Sequence, residues 1–342
     1  MNAKSNRIKK GGKVVVRMVT ALLGILSLPW CLAGTSAHAQ TLALGYSGTG
    51  VSSDLRRVIE KEGLWRRRGL DVKAIYFTSG ALTTKAMIAG DVSVADSDLP
   101  AQLNLAVTGL IDLKVIAVLV NRLEHYFVVN KAIKRPEDLK GKRVAVSSLG
   151  SSSDITTRLV LRFWKLDPDR EVAILQSGNT PTRIAALVVG HVDAGLVSPT
   201  HLDKILATGC CRALADLAEL PLDYARWGLV VSTSILRTQR EAIRKLLEGF
   251  VEGIHVYKNR PDLALEVLKE EGIKDSQVAK GVYQRLAKSF REYPAPDAKG
   301  IQAVLDSLIN PKARGTKAES FVDASLFEEI KASGYIDRLY GK

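Results

Sequence analysis

The sequence predicts an α/β protein built of two similar lobes that face each other across a cleft. Three observations lead there. The chain nearly repeats itself at an offset of one hundred residues: Leu44-Gly45-Tyr46-Ser47 aligns with Val144-Ala145-Val146-Ser147, Ser52-Ser53-Asp54-Leu55 with Ser152-Ser153-Asp154-Ile155, and Ala86–Val92 with Ala186–Val192. Each copy reads strand, Ser/Gly loop, helix, strand, Ser-Gly loop, helix, glycine, strand, a spacing that builds a mostly parallel sheet flanked by helices. At 342 residues the chain also has room for two cores. A cleft between paired lobes is a place to hold a small molecule.

The elements follow in order. Thr41–Tyr46 alternates as a first strand and is bounded by Ser47-Gly48-Thr49-Gly50. Val51 to Glu62 carries helical spacing and stops at Gly63. Asp71–Phe77 is a second strand, and Thr78-Ser79-Gly80 turns into a helix ending at Gly90. Val92–Ala95 is a short strand, after which Asp96-Ser97-Asp98 and Pro100 open another helix. Lys114–Val120 is a buried strand and Tyr126–Val129 a crossover strand. Arg135–Lys142 is a short helical turn into the second unit, which runs from Arg143 to about Asp216. Trp227–Val231 is a return strand. Beyond Thr238, Ile243, Leu246, Leu247, Phe250, Val251 and Ile254 form one helical apolar stripe, and Pro261 starts the next helix. The helical tail is expected to pack back on the first lobe. That gives residues 40–125 and 230–342 to the first lobe, and 126–229 to the second. Two crossings between lobes make a hinge, with opening and closing as the expected motion.

Residues 1–39 read as a leader. Lys4, Arg7, Lys9, Lys10, Lys13 and Arg17 are unaccompanied by acids, Met18–Leu28 is apolar, and Ala37-His38-Ala39 supplies a small-residue cleavage pattern. This is the form of a secretory signal peptide, too short in its apolar run for a good membrane span. The mature chain is expected to begin near Gln40, outside the cytoplasm. Cys31 follows Leu28-Pro29-Trp30, which is not a lipoprotein pattern. Without the six leader cations the formal net charge of +13 falls to about +7. The run Arg66-Arg67-Arg68 lacks interleaved aromatics, so a nucleic-acid partner is not expected. Cys210 and Cys211 are adjacent, which strains a bridge between them, and they match no metal-ligand spacing.

Polar loops recur at the strand ends: Ser47–Ser53, Thr78–Thr83 and Asp96–Asp98 in one unit, and Ser147–Asp154, Ser177–Thr182 and Ser198–Thr200 in the other. Open α/β sheets bind ligands at such ends. Hydroxyls and backbone N–H groups at helix N-termini suit a small anion, although Ser53, Asp54, Ser153 and Asp154 also suit helix capping. Arg122, just before the crossover, is a candidate cation for it. His125 is the histidine placed to face the cleft, and Trp164, Tyr224 and Trp227 are the aromatic candidates. Gly45-Tyr46-Ser47-Gly48-Thr49 lacks the closing glycine of a nucleophile elbow. Gly48-Thr49-Gly50-Val51-Ser52-Ser53 falls short of a dinucleotide fingerprint. Neither an enzyme activity nor a cofactor nor a metal is expected.

Several runs carry a family resemblance. Glu62-Gly63-Leu64-Trp65, Arg68–Val72, Ser79-Gly80, Ala89–Val92, Asp138–Val146, Gly150-Ser151, Ala185–Leu187 and Gly190–Ala194 resemble the nitrate, taurine and alkanesulfonate family of ABC-transporter substrate-binding proteins. The resemblance covers nearly the whole mature chain. It implies a type II periplasmic binding protein fold with a two-strand hinge, closing on a small anion (sulfonate, taurine, nitrate or a related carboxylate) and delivering it to a permease in the inner membrane. A monomer is expected. By position it implies ligand contacts from Ser47, Thr49, Ser79, Gly80 and Ser97 in one lobe, and from Ser147, Ser151, Ser152, Asn179, Thr182 and Ser198 in the other. A related branch, the alternative reading, binds or synthesises the thiamine pyrimidine precursor. Its enzymes need an iron-binding cysteine cluster that Cys210-Cys211 alone does not reproduce.

Overall fold

The computed structural model describes residues 40–47 and 51–341. Residues 1–39, read above as a leader, and Thr49 lie outside the described residues. In chain order the elements are β1 (Gln40–Ser47), α1 (Val51–Lys61), β2 (Leu70–Phe77), α2 (Gly80–Ala89), β3 (Val94–Asp98), α3 (Leu99–Ala106), β4 (Leu113–Val120) and β5 (Tyr126–Asn130). There follow β6 (Arg143–Val146), α4 (Ser152–Phe163), β7 (Ala173–Gln176), α5 (Thr180–Val188), β8 (Ala194–Val197), α6 (Pro199–Ala207), β9 (Cys211–Asp216) and β10 (Trp227–Ser232). The chain closes with α7 (Thr233–Thr238), α8 (Arg240–Asn259), α9 (Pro261–Glu270), α10 (Ser276–Ser289), α11 (Ala298–Ser307), α12 (Ser325–Ala332) and α13 (Tyr335–Tyr340). Among the described residues no helix is long and apolar enough to cross a membrane.

Two five-stranded sheets result, in the orders β2-β1-β3-β10-β4 and β7-β6-β8-β5-β9. Strands one hundred residues apart occupy the same places, so the internal repeat of the sequence reappears as one topology used twice. Within each sheet the first three strands run parallel, and the fourth is antiparallel to both neighbours. That fourth strand comes from the crossings. The chain leaves the first sheet after Val120, enters the second through β5, and returns through β10. The crossings lie side by side: the Tyr224 N–H donates to the Asn121 carbonyl at 3.2 Å and the Arg226 N–H to the Val120 carbonyl at 3.0 Å.

Two boundaries differ from the sequence expectation. Trp227, Gly228 and Leu229, assigned by sequence to the second lobe, pair with β3 and β4 in the first sheet. Asp96-Ser97-Asp98, read as a loop, forms the end of β3 because antiparallel β10 pairs with all three residues, while parallel β1 holds Asp96 on the other side.

The expected stripe on α8 is the spine of the first lobe, with all six of its residues at most 1% exposed. It packs on α1 and on Trp65 beyond it so closely that glycines stand at the contacts. A Cβ added to Gly253 would stand 2.3 Å from Ile59 Cγ1, and one added to Gly249 2.3 Å from Trp65 Cδ1. Opposite, one continuous apolar cluster joins Leu99 and Leu103 of α3, Ile155 and Leu161 of α4, and Val304 and Leu305 of α11. The helical tail therefore packs on both lobes rather than on the first alone.

Candidate functional site

Strand ends and helix N-termini of both lobes converge on a cavity of about 150 Å³. Of the residues proposed from sequence, Ser47, Ser79, Gly80, Ser147, Ser151, Ser152, Asn179 and Ser198 line it. Several cap helices as well. Ser79 Oγ accepts from the Leu82 N–H, Ser151 Oγ from the Asp154 N–H, and Asn179 Oδ1 from the Thr182 N–H. Capping and facing the cavity are thus compatible, because the N-cap residue stands at the mouth of its helix.

The second lobe contributes a cluster of hydroxyls. Ser147 Oγ lies 2.8 Å from both Ser151 Oγ and Ser153 Oγ, and these two are 3.0 Å apart. They sit at the N-terminus of α4, where the helix dipole favours negative charge. Asp154 fastens the loop beneath them, accepting from the Gly150 N–H at 2.8 Å and from Arg158 Nε at 2.7 Å. Ser198 Oγ stands 2.8 Å from His201 Nδ1 and 3.0 Å from Thr200 Oγ1.

Three proposed residues lie elsewhere. Ser97 is fully buried; its hydroxyl is taken by Gln102, which also donates to the Gly80 carbonyl at 3.2 Å. It supports the Gly80 turn from below. Thr182 is exposed, and its hydroxyl donates to Asn179 Oδ1 at 2.8 Å. Arg122 is half-buried on the crossing and does not line the cavity.

The cations that do line it are Arg183 and Arg226. Arg183, 4% exposed, donates only to neutral oxygens: the Gly178 carbonyl at 2.8 Å, Thr180 Oγ1 at 3.0 Å and the Leu196 carbonyl at 3.3 Å. Its buried Nε has no partner. Burial pulls its pKa down to about 10, which leaves it charged at neutral pH. Arg226, 6% exposed, is paired with Asp98. Burial draws its pKa down to about 9, against which the Asp98 carboxylate holds the charge in place.

Two neighbouring groups face the cavity uncharged. Burial pushes Glu124 up to about 8, an effect Arg285 only partly offsets. Burial, then Arg183 and Arg285, hold His125 down at about 4, so its ring is neutral. The balance at neutral pH is one guanidinium without a carboxylate. Trp227, Tyr76, Leu196 and Leu286 supply apolar wall. Of the other aromatic candidates, Trp164 packs edge-on against Phe127 at 4.8 Å, and Tyr224 is buried with its hydroxyl 3.5 Å from Ser307 Oγ. Cys210 and Cys211 are free thiols with sulfurs 2.6 Å apart, away from the cavity.

Sequence reasoning passed over Arg183, Arg226 and Glu124 as site residues, and reached Asp98 only as part of the Asp96–Asp98 loop. A signal was present: Arg226 is a solitary cation in Tyr224-Ala225-Arg226-Trp227, and Glu124 a solitary acid after Leu123.

Two like-ordered sheets, exchanged fourth strands and a polar cavity between strand ends define a periplasmic binding protein fold. The chain belongs to the NMT1/THI5-like family, whose profile matches residues 58–264. It is 26% identical over 240 residues to the taurine-binding periplasmic protein of Escherichia coli K12, covering 67% of this chain and 70% of that one. The fold is shared with the alkanesulfonate-binding protein SsuA of Xanthomonas axonopodis pv. citri, solved bound to MOPS, at a TM-score of 0.70 and 18% identity over 83% of this chain and 98% of that one. It is also shared with the periplasmic nitrate-binding protein NrtA of Synechocystis PCC 6803, at a TM-score of 0.68 and 13% identity over 86% of this chain and 89% of that one.

Proposed function

We propose that this protein is the exported solute-binding component of an ABC importer. It captures a small solute bearing one anionic group (a sulfonate, taurine, nitrate or a related carboxylate) between its lobes and hands it unchanged to an inner-membrane permease. One observation carries the reading: Arg183 brings a buried positive charge that no carboxylate neutralises to a cavity also lined by the hydroxyls of Ser147, Ser151 and Ser153. The guanidinium supplies the charge, and the hydroxyls rotate to donate to the anion oxygens. From the first lobe, Ser47, Ser79 and Gly80 meet the ligand as the lobes close around the crossings. The relatives named above, which bind taurine, alkanesulfonate and nitrate, support this class of cargo. A monomer cleaved before Gln40 and working in the periplasm completes the proposal.

The test is thermal unfolding of the purified protein with taurine, alkanesulfonates, nitrate, small carboxylates, thiamine precursors and NAD. One anion class should raise the midpoint, a ligand at a hundred times its Kd stabilising the native state by about 2.7 kcal/mol. Arg183→Met should abolish that shift. A shift with a thiamine precursor or NAD, and none with any anion, would overturn the proposal.

A further inference from the structure

Glu124 lies on the first crossing, between the two sheets, and lines the cavity at 3% exposure. Its buried Oε2 has no hydrogen-bond partner, and among the described residues no ion pair reaches its carboxyl. None of the charged and titratable groups around it pairs with its carboxyl. From α10, Arg285 touches only the Glu124 carbonyl, at 3.5 Å; its guanidinium is held by Asp216 of β9 and by Tyr126 Oη of β5, the latter at 2.8 Å. From α5, Arg183 is bound to neutral oxygens, and Arg226 is paired with Asp98. His125, beside it, also leaves a buried Nδ1 unpartnered. Buried without an ion-pair partner, and with Arg285 offsetting that burial only in part, the acid keeps its proton.

We propose that Glu124 is a specificity-determining group of the anion site: it meets the ligand as a neutral carboxylic acid, donating its O–H to an anion oxygen, and its ionisation expels the anion. This rests on the anion reading above. A protonated acid is a donor that a carboxylate is not, so one proton converts an attractive contact into a like-charge repulsion inside a cavity screened from water. The carboxyl's titration near pH 8 places the change at the alkaline edge of the neutral range. Below it the cavity carries the single uncompensated charge of Arg183. Above it Glu124 cancels that charge, and a monoanion loses its counterpart.

The experiment measures Kd for ethanesulfonate, nitrate and acetate from pH 6.5 to 9.5, ligands whose own charge is constant over that range, for the wild type and for Glu124→Gln. Wild-type affinity should fall about tenfold for each pH unit above the carboxyl's titration. The Gln variant, whose amide stays a neutral donor throughout, should give a flat ratio of Kd at the two ends. A flat wild-type profile, or a decline that persists in the Gln variant, would overturn the inference and leave the anion reading standing. So would binding of taurine alone that strengthens with pH, since an ammonium would then make the ionised carboxylate its partner. Binding of none of these, taurine included, at any pH overturns the anion reading and the inference with it.

Discussion

Arg226 enters the cavity already paired, whereas Arg183 enters it with only neutral oxygens around its guanidinium. The distinction sorts the two cations by role. The Arg226–Asp98 pair, with side chains 7% and 17% exposed, joins the second crossing to the end of β3. Truncating one partner strands the other in a poorly solvated place. Arg226→Met should therefore destabilise the protein by about 3 kcal/mol, and adding Asp98→Asn should recover part of the loss. Urea unfolding of the three proteins gives the coupling, and a double variant no better than the single one would contradict it. Asp98 was legible only as the end of the polar Asp96–Asp98 loop, and Arg226 only as a solitary cation. An isolated arginine looks the same in sequence whether it faces water or a cavity, and its burial is decided by strands far away in the chain.

At the scale of elements, the apolar stripe of α8 was legible because a helix buried on one face repeats every three to four residues. The glycines within it were not, since their meaning lies in α1. Gly253→Ala should cost about 1–3 kcal/mol, because the new methyl must displace Ile59 across a well-packed contact. A lowered urea midpoint with an unchanged m-value checks it; an unchanged midpoint would mean that α1 can shift freely. The strand β3 shows the converse limit. Its residues Val94 to Ser97 are all buried, so the chain offers no alternation from which to tell which side chains reach the cavity. Ser97 was expected there and instead braces Gly80, while Asp98, one residue on, lines the wall.

For the whole molecule, the hundred-residue repeat announced two alike sheets, and the cluster of polar strand ends announced where they meet. The pairing of β10 with β3 and β4 was hidden, since it joins segments on either side of the entire second lobe. Electrostatics also acts at this scale. Burial raises the carboxyls of Asp54, Asp96 and Glu124, the last two to about 7 and about 8. A folded pKa above the unfolded one contributes stability that is complete below about pH 4 and lost as pH rises through the folded value. Ligand-free protein should thus have a lower urea midpoint at pH 8.5 than at pH 5. Glu124→Gln should lessen the difference, and a midpoint that rises over this interval would refute the assignment.

The exchanged fourth strands have a consequence for how the protein is made. The first sheet holds β1 to β4 early in the chain, but the place between β3 and β4 stays vacant until Trp227–Ser232 has been synthesised. A ribosome has by then completed residue 232 of 342. The second sheet, drawn wholly from residues 126–216, can therefore be complete before the first, which is the last of the two to close although its strands begin the chain.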